Sequence, residues 1–183
     1  NGNYAYIDSA LEAKKVLGDE MQSTLFTIAK DVKIQVEFNP AAVSQYRLIG
    51  YENRLLREED FDNDTVDAGE IGAGHQVTAI YEIVPANGKG WIAPRRYDAA
   101  ERRIANPNTN EVAFVKLRYK LPDGDTSRLI EQAIPMRALQ SAQAPRGDFA
   151  FASAVAAFGQ RLRGDTLLGP YDFNDIRGLA GSG

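Results

Sequence analysis

The chain of 183 residues contains no cysteine and a single histidine, His75. The first absence removes disulfides, thiolate nucleophiles and Cys-ligated zinc together. The second removes metal sites built on two histidines and proton relays with several imidazoles. No apolar run reaches the roughly eighteen residues that would suggest a membrane span. Nor is there an excess of basic charge: 21 Lys and Arg against 25 Asp and Glu leave a formal charge of -4. The basic field that nucleic acid or an anionic membrane requires over one face is therefore not expected.

What is present is a globular composition, 44% hydrophobic and 25% charged. At this length a single core buries roughly 70% of the unfolded surface. The opening Asn1-Gly2-Asn3-Tyr4-Ala5-Tyr6-Ile7-Asp8 has no initiator Met and runs straight into an amphipathic pattern. It reads as the last helix of an upstream domain. The order from Asp8 places a capping residue before a helical pattern in which Leu11, Val16, Leu17 and Met21 fall near one face, and the helix is expected to stop between Met21 and Ser23.

The period then changes. Phe26, Ile28, Val32, Ile34, Val36 and Phe38 alternate with Thr27, Ala29, Asp31, Lys33, Gln35 and Glu37, the pattern of a half-buried strand, with Lys30 breaking the apolar row. Pro40 lacks an amide hydrogen for the ladder and ends it. Further strands are expected from Ser44 to Leu55 and from His75 to Val84, the latter closed by Pro85. Between them lie an acidic loop, Arg57 to Asp67, and a glycine-rich stretch, Ala68 to Gly74, read as tight turns. Residues 86 to 110, rich in Gly, Pro, Asn and Arg, read as a long surface connection. Glu111 to Leu121 and Ser127 to Pro135 form a hairpin about Pro122-Asp123-Gly124-Asp125. A linker from Ala138 to Gly147 leads to Asp148 as the N-cap of a helix from Phe149 to Leu162, stopped by Gly164, and a short helix follows from Asn174 to Ala180.

Consecutive strands with short connections favour antiparallel pairing, because parallel strands require long crossovers. The expected fold is α+β: an N-terminal helix, an Ig-like antiparallel β-sandwich of about six strands, and C-terminal helices packed on it. The corresponding divisions are 1–23, 24–137 and 138–183.

Four stretches carry a resemblance: residues 2–8; Thr24 to Pro40; Tyr46-Arg47-Leu48-Ile49-Gly50-Tyr51-Glu52-Asn53-Arg54; and Asp67-Ala68-Gly69-Glu70-Ile71-Gly72-Ala73-Gly74-His75. Phe151-Ala152-Ser153-Ala154-Val155-Ala156 extends it into the tail. Together these resemble the C-terminal region of bacterial YfbK-type proteins, which carry a von Willebrand factor type A domain followed by a domain of unknown function. The resemblance implies that residues 4 to about 22 supply the last helix of the A domain. It also implies an exported or envelope-associated protein, sometimes a lipoprotein, with a role in adhesion or complex assembly. The divalent ion of A domains is held by an Asp-x-Ser-x-Ser motif, which this chain lacks, so no metal ligand is carried over.

Several residues invite sharper readings. Asp60, Asp62 and Asp64 share the first three ligand positions of an EF-hand, but Thr65 stands where the turn glycine belongs and Ile71 where a bidentate Glu belongs, so a solvated acidic loop is the simpler expectation. Gly69, Gly72 and Gly74 lack the spacing and the helix that a phosphate cradle needs. His75 lies near Asp67 and Glu70, yet its spacing to Ser44 or Ser153 gives no triad, and a structural hydrogen bond is expected of it. Phe149, Phe151, Val155, Phe158 and Leu162 read as a core-facing stripe, with docking against an upstream domain as the alternative. Trp91, Arg95, Arg96, Tyr97, Arg102 and Arg103 form the candidate partner-binding cluster, since Trp, Tyr and Arg are enriched at interface hot spots.

The function expected from the residues and the resemblance is a non-enzymatic accessory domain without a cofactor. It would follow an A domain and contact that domain or a further protein in the periplasm, outside the cell or at a lipoprotein anchor. A carbohydrate-binding module using the 86–110 loop is the alternative.

Overall fold

The computed structural model describes residues 7–19, 26–50, 57–66, 68–93 and 110–182. Among the described residues the fold is α+β, with six antiparallel strands in two sheets and with N-terminal and C-terminal helices. Strands β1 (Thr27–Phe38), β3 (Gly69–Gly72), β5 (Glu111–Lys120) and β6 (Arg128–Pro135) form one sheet in the order β3-β1-β5-β6. Strands β2 (Val43–Ile49) and β4 (Ile80–Pro85) form a second. Helix α1 (Ala10–Lys14) continues into a wider π turn, Lys15–Asp19, and α2 (Met136–Gln140), α3 (Gly147–Leu162) and α4 (Phe173–Ala180) follow the last strand.

The chain divides into two compact units, residues 1–36, 56–77 and 115–132 in the first and residues 37–55, 78–114 and 133–183 in the second.

In the first unit, α1 starts where a capping oxygen was expected: the Ser9 hydroxyl accepts from the Glu12 amide at 3.1 Å. Its apolar residues do not make a core, since Leu11 is 80% exposed and Leu17 61%. The glycine-rich stretch, expected as turns only, contributes β3 as well. Thr27 pairs with Gly72, Ala29 with Ile71 and Val32 with Gly69, so β1 spends an extra residue in each interval. This is the signature of β-bulges. Asp31, in the second bulge, adopts φ 51°, a left-handed conformation that aspartate tolerates better than most residues. The bulges and the loop over this strand explain a departure from the alternation rule. Phe26, Ile28 and Ile34 are exposed while Lys33 is buried.

In the second unit, β2 and β4 pair from Val43↔Pro85 to Ile49↔Ile80. Strand β4 begins at Ile80, five residues later than the alternation from His75 suggested. Ala42, Val43, Val84, Val112 and Ala113 are buried in this part. Phe38 lies with its ring centroid 4.5 Å from that of Tyr46 and 5.4 Å from that of Tyr81, the latter edge to face. Helix α3 starts from Arg146 without a side-chain cap, and Asp148 sits inside the first turn, where its charge suits the positive end of the helix dipole. Helix α4 carries a capping box, Asp172 accepting from the Asp175 amide while Asp175 accepts from the Asp172 amide. Gly164, at φ 70°, ends α3 as expected.

The two helices meet through small residues. Ala154 and Ala157 of α3 pack on Ile176 of α4, with Leu168, Tyr171, Leu179 and Ala180 around them. The expected core stripe points elsewhere: Phe149 is 61% exposed, Phe151 57%, Val155 55%, Phe158 46% and Leu162 65%. Alanines at 154 and 157 occupy the face buried against α4 because they let that helix come close, and this geometry leaves the large side chains outside.

Candidate functional site

Each unit holds a polar centre, and the second also presents an apolar one. In the first unit the acidic loop is held by the chain's own cations. Lys33 Nζ, buried on β1, donates to the Asp60 carbonyl at 3.0 Å and to the Asn63 carbonyl. Lys120 Nζ donates to Asp31 Oδ2 at 2.7 Å and to the Asp64 carbonyl at 2.9 Å. Arg118 forks onto Asp62 Oδ1 at 2.7 Å and Asp64 Oδ1 at 2.9 Å, and Ser127 donates its hydroxyl to the same Asp64 oxygen. Hydrogen bonding from Ser127 is the main reason the Asp64 carboxyl is held below the usual aspartate range, with Arg118, Lys120 and Lys33 adding to it. The bond to Asp31 in turn raises Lys120 above its ordinary value. Two of the three oxygen donors that tempted a calcium reading are thus engaged by Arg118, and the loop is solvent-exposed, as expected, but also pinned by these bonds.

In the second unit the polar centre is Arg47. Nε donates to Glu82 Oε2 at 2.5 Å and Nη1 to Asp165 Oδ2 at 2.6 Å. The register of β2 and β4 sets Arg47 directly opposite Glu82. Asp165 arrives from the turn after α3, and Gln160 of α3 donates to both carboxylates, at 3.3 Å to Glu82 and 3.2 Å to Asp165. Burial opposes the Arg47 charge, but its two carboxylate partners outweigh that and hold its pKa above the ordinary arginine value. Burial likewise opposes ionisation of Asp165, yet the Leu167 amide, Arg47 and Gln160 together hold its carboxyl below the usual range. Arg47 Nη2 is buried with no hydrogen-bond partner among the described residues. The guanidinium Cζ lies 5.3 Å from the centroid of the Trp91 ring, within cation–π range.

Trp91 is itself positioned by Gln45, whose side-chain oxygen accepts from the Trp91 amide at 2.7 Å and the Ile92 amide at 3.2 Å, while its Nε2 donates to the Ile92 carbonyl at 2.7 Å. Of the expected partner cluster, Trp91 is half-buried with its ring beside Arg47. Arg95, Arg96, Tyr97, Arg102 and Arg103 lie outside the described residues. His75 is exposed, and its backbone amide closes a turn onto Gly72.

Arg47, Asp165 and Gln160 form the polar end of a cleft of about 780 Å³, walled on the strand side by Leu48, Ile49 and Ile80 and on the α3 side by Phe151, Val155 and Gly159. Beside the cleft, Phe151, Val155, Phe158 and Leu162 fall within an arc of about 60° on α3, counting 100° per residue, whereas Phe149 lies about 160° away from Phe151. The four make an uncharged, outward row, and Phe173 of α4 extends it, its ring 6.0 Å from that of Phe158. Among the described residues no helix is long and apolar enough to cross a membrane.

Sequence reasoning missed the Arg47 centre. Two signals were available, the charged residues at corresponding positions of two alternating strands and an Asp placed after the helix-stopping Gly164. Neither identifies the partner without the strand register.

A family model described as "Uncharacterized protein YfbK, C-terminal" matches residues 23–183. The uncharacterized protein YfbK of Escherichia coli (strain K12) is 46% identical over 177 residues, which cover 97% of this chain and 30% of that protein. The chain thus spans under a third of the relative's length. No solved structure matches significantly.

Proposed function

We propose, from the premise that the chain belongs to the family of YfbK C-terminal regions, that it is a non-enzymatic accessory domain working by protein contact within a longer polypeptide. The observation that carries this reading is the outward row of Phe151, Val155, Phe158 and Leu162 on α3. Burying large apolar side chains is the main source of contact free energy, and a row with no charge in it incurs little desolvation cost on docking. The polar groups support the same reading. Arg47, Glu82, Asp165 and Gln160 bond to one another, as do Lys33, Lys120, Arg118 and the acidic loop. Groups so engaged position strands, loops and helix ends.

The resemblance to proteins with a von Willebrand factor type A domain supplies the context: an A domain upstream, in the bacterial envelope or outside the cell. The upstream domain or a further protein then meets the α3 row. The test combines titration calorimetry of the chain against the upstream region with sedimentation of the chain itself, each with Val155→Asp beside the wild type. The expected result is a saturable protein contact abolished by the substitution. A chain that makes no contact in either experiment, or one that is indifferent to Val155→Asp, overturns the reading.

A further inference from the structure

The α3 row has the dimensions and symmetry of a surface that pairs with itself, and from this we infer that its partner is a second copy of the chain, docked antiparallel across a two-fold axis. The inference rests on the reading of the row as a protein contact and names the occupant.

Three observations carry it. The first is spacing. Phe151, Val155, Phe158 and Leu162 follow one another at intervals of four, three and four residues, the seam of a coiled coil. The seam is symmetric about the point between Ala156 and Ala157, so antiparallel pairing sets Phe151 against the second copy's Leu162 and Val155 against its Phe158 with no residue left over. Small residues flank the seam on the cleft side: Ala152 and Gly159, where an added Cβ would meet nothing within 4 Å, leave room for close approach.

The second is area. The exposed portions of Phe151, Val155, Phe158, Leu162 and Phe173 are 57%, 55%, 46%, 65% and 52%. These come to roughly 500 Å², if a side chain of this size offers about 150–250 Å² in full. That sits in the upper range for the largest apolar patch on a monomer. Two copies together bury about 1,000 Å² from these five residues alone, where specific interfaces begin, before any flanking contact is counted.

The third is the helix dipole. Asp148 and Arg161 lie about 140° apart on α3, on opposite flanks of the seam, and do not set the orientation. An antiparallel pair opposes the dipoles of the two α3 helices, whereas a parallel pair aligns them. Phe151 and Val155 belong to the cleft wall as well as to the row, so the second copy also covers that lip of the cleft.

The test is sedimentation of the intact chain at about 100 μM, a concentration at which a micromolar interface is mostly formed, with Val155→Asp beside it. The wild type is expected to run at twice its 20.1 kDa and the variant as a monomer, with identical circular dichroism. The chain has no cysteine, so orientation is read from introduced ones. Phe151→Cys/Leu162→Cys is expected to give an oxidised covalent dimer. Phe151→Cys alone is expected not to, because the two sites would lie roughly 16 Å apart along the seam at 1.5 Å per residue.

A monomeric wild type overturns the proposal. If that monomer still binds the upstream region, and Val155→Asp abolishes the binding, the row is a protein contact with a different occupant. If it binds nothing, the reading of the row falls too. Efficient crosslinking by Phe151→Cys alone overturns the antiparallel arrangement.

Discussion

Lys33 shows how far a single side chain departs from its residue type. With 4% of its surface exposed it sits deeper than every apolar residue of its own strand, because the Asp60 and Asn63 carbonyls accept hydrogen bonds from its ammonium. A buried ammonium is tolerable only with such partners. Gln45 works in the same manner for Trp91, and here the consequence is measurable. A Cβ at Gly90 would lie 2.6 Å from Gln45 Nε2 and 2.8 Å from its Oε1. Gly90→Ala therefore displaces the Gln45 amide and loosens its three bonds to Trp91 and Ile92, at a cost of about 1 kcal/mol. Since Trp91 is the sole tryptophan, its fluorescence is expected to shift to the red in the variant; unchanged emission would mean that Gln45 does not hold it. Trp91 was legible as conspicuous, but its partner Arg47 was not, since 44 positions separate them.

Among the elements, the hairpin of β5 and β6 and the C-terminal end of α3 were the most legible. Asp-Gly turns and helix-stopping glycines act through local backbone geometry, which the sequence contains in full, whereas the Asp148 cap expected for α3 is not made, that helix starting from Arg146 without a side-chain cap. The orientation of α3 was not legible. Its periodic Phe, Val and Leu positions are the ones a core would use, but a helix packed through alanines buries the small face. The contrast gives a paired prediction. Ile176→Ala, at the closed α3–α4 contact, is expected to cost about 2–3 kcal/mol in urea unfolding. Phe151→Ser, on the outward row, is expected to change stability by less than about 0.5 kcal/mol in the monomer. The opposite ranking would restore the phenylalanines to the core. The bulged β1 belongs to the same lesson. Strict alternation fails where extra residues enter the strand, and only pairing with β3 reveals where they do.

For the molecule as a whole, the polar centres set the pH range of stability. Asp64, Asp165 and Asp172 have carboxyls held below the ordinary value of 3.8, by the Ser127 hydroxyl, by the Leu167 amide, Arg47 and Gln160 acting against burial, and by the Asp175 and Asn174 amides. A depressed folded pKa contributes stability that is present above the unfolded value and lost as pH falls through the folded one. Lys120, raised above its ordinary 10.5 by Asp31, contributes in the other direction: its share is present below the unfolded value and lost as pH rises past the folded one. Thermal unfolding is thus expected to show a plateau from about pH 5 to 10 with an acid limb below pH 4. Asp165→Asn is expected to make the acid limb shallower. A limb unchanged in that variant would show that the Arg47 centre does not couple to protons.

By itself the sequence determined the α+β class, most of the strands, the β5–β6 turn and the C-terminal end of α3, because these depend on residues a few positions apart. It also determined the family, through stretches long enough to be specific. Only the tertiary structure decided which faces are buried. The burial of Lys33, the meeting of Arg47 with Glu82, Asp165 and Trp91, and the exposure of the α3 row each depend on contacts across tens of residues. Such contacts are fixed by register and helix packing, which local pattern leaves undetermined.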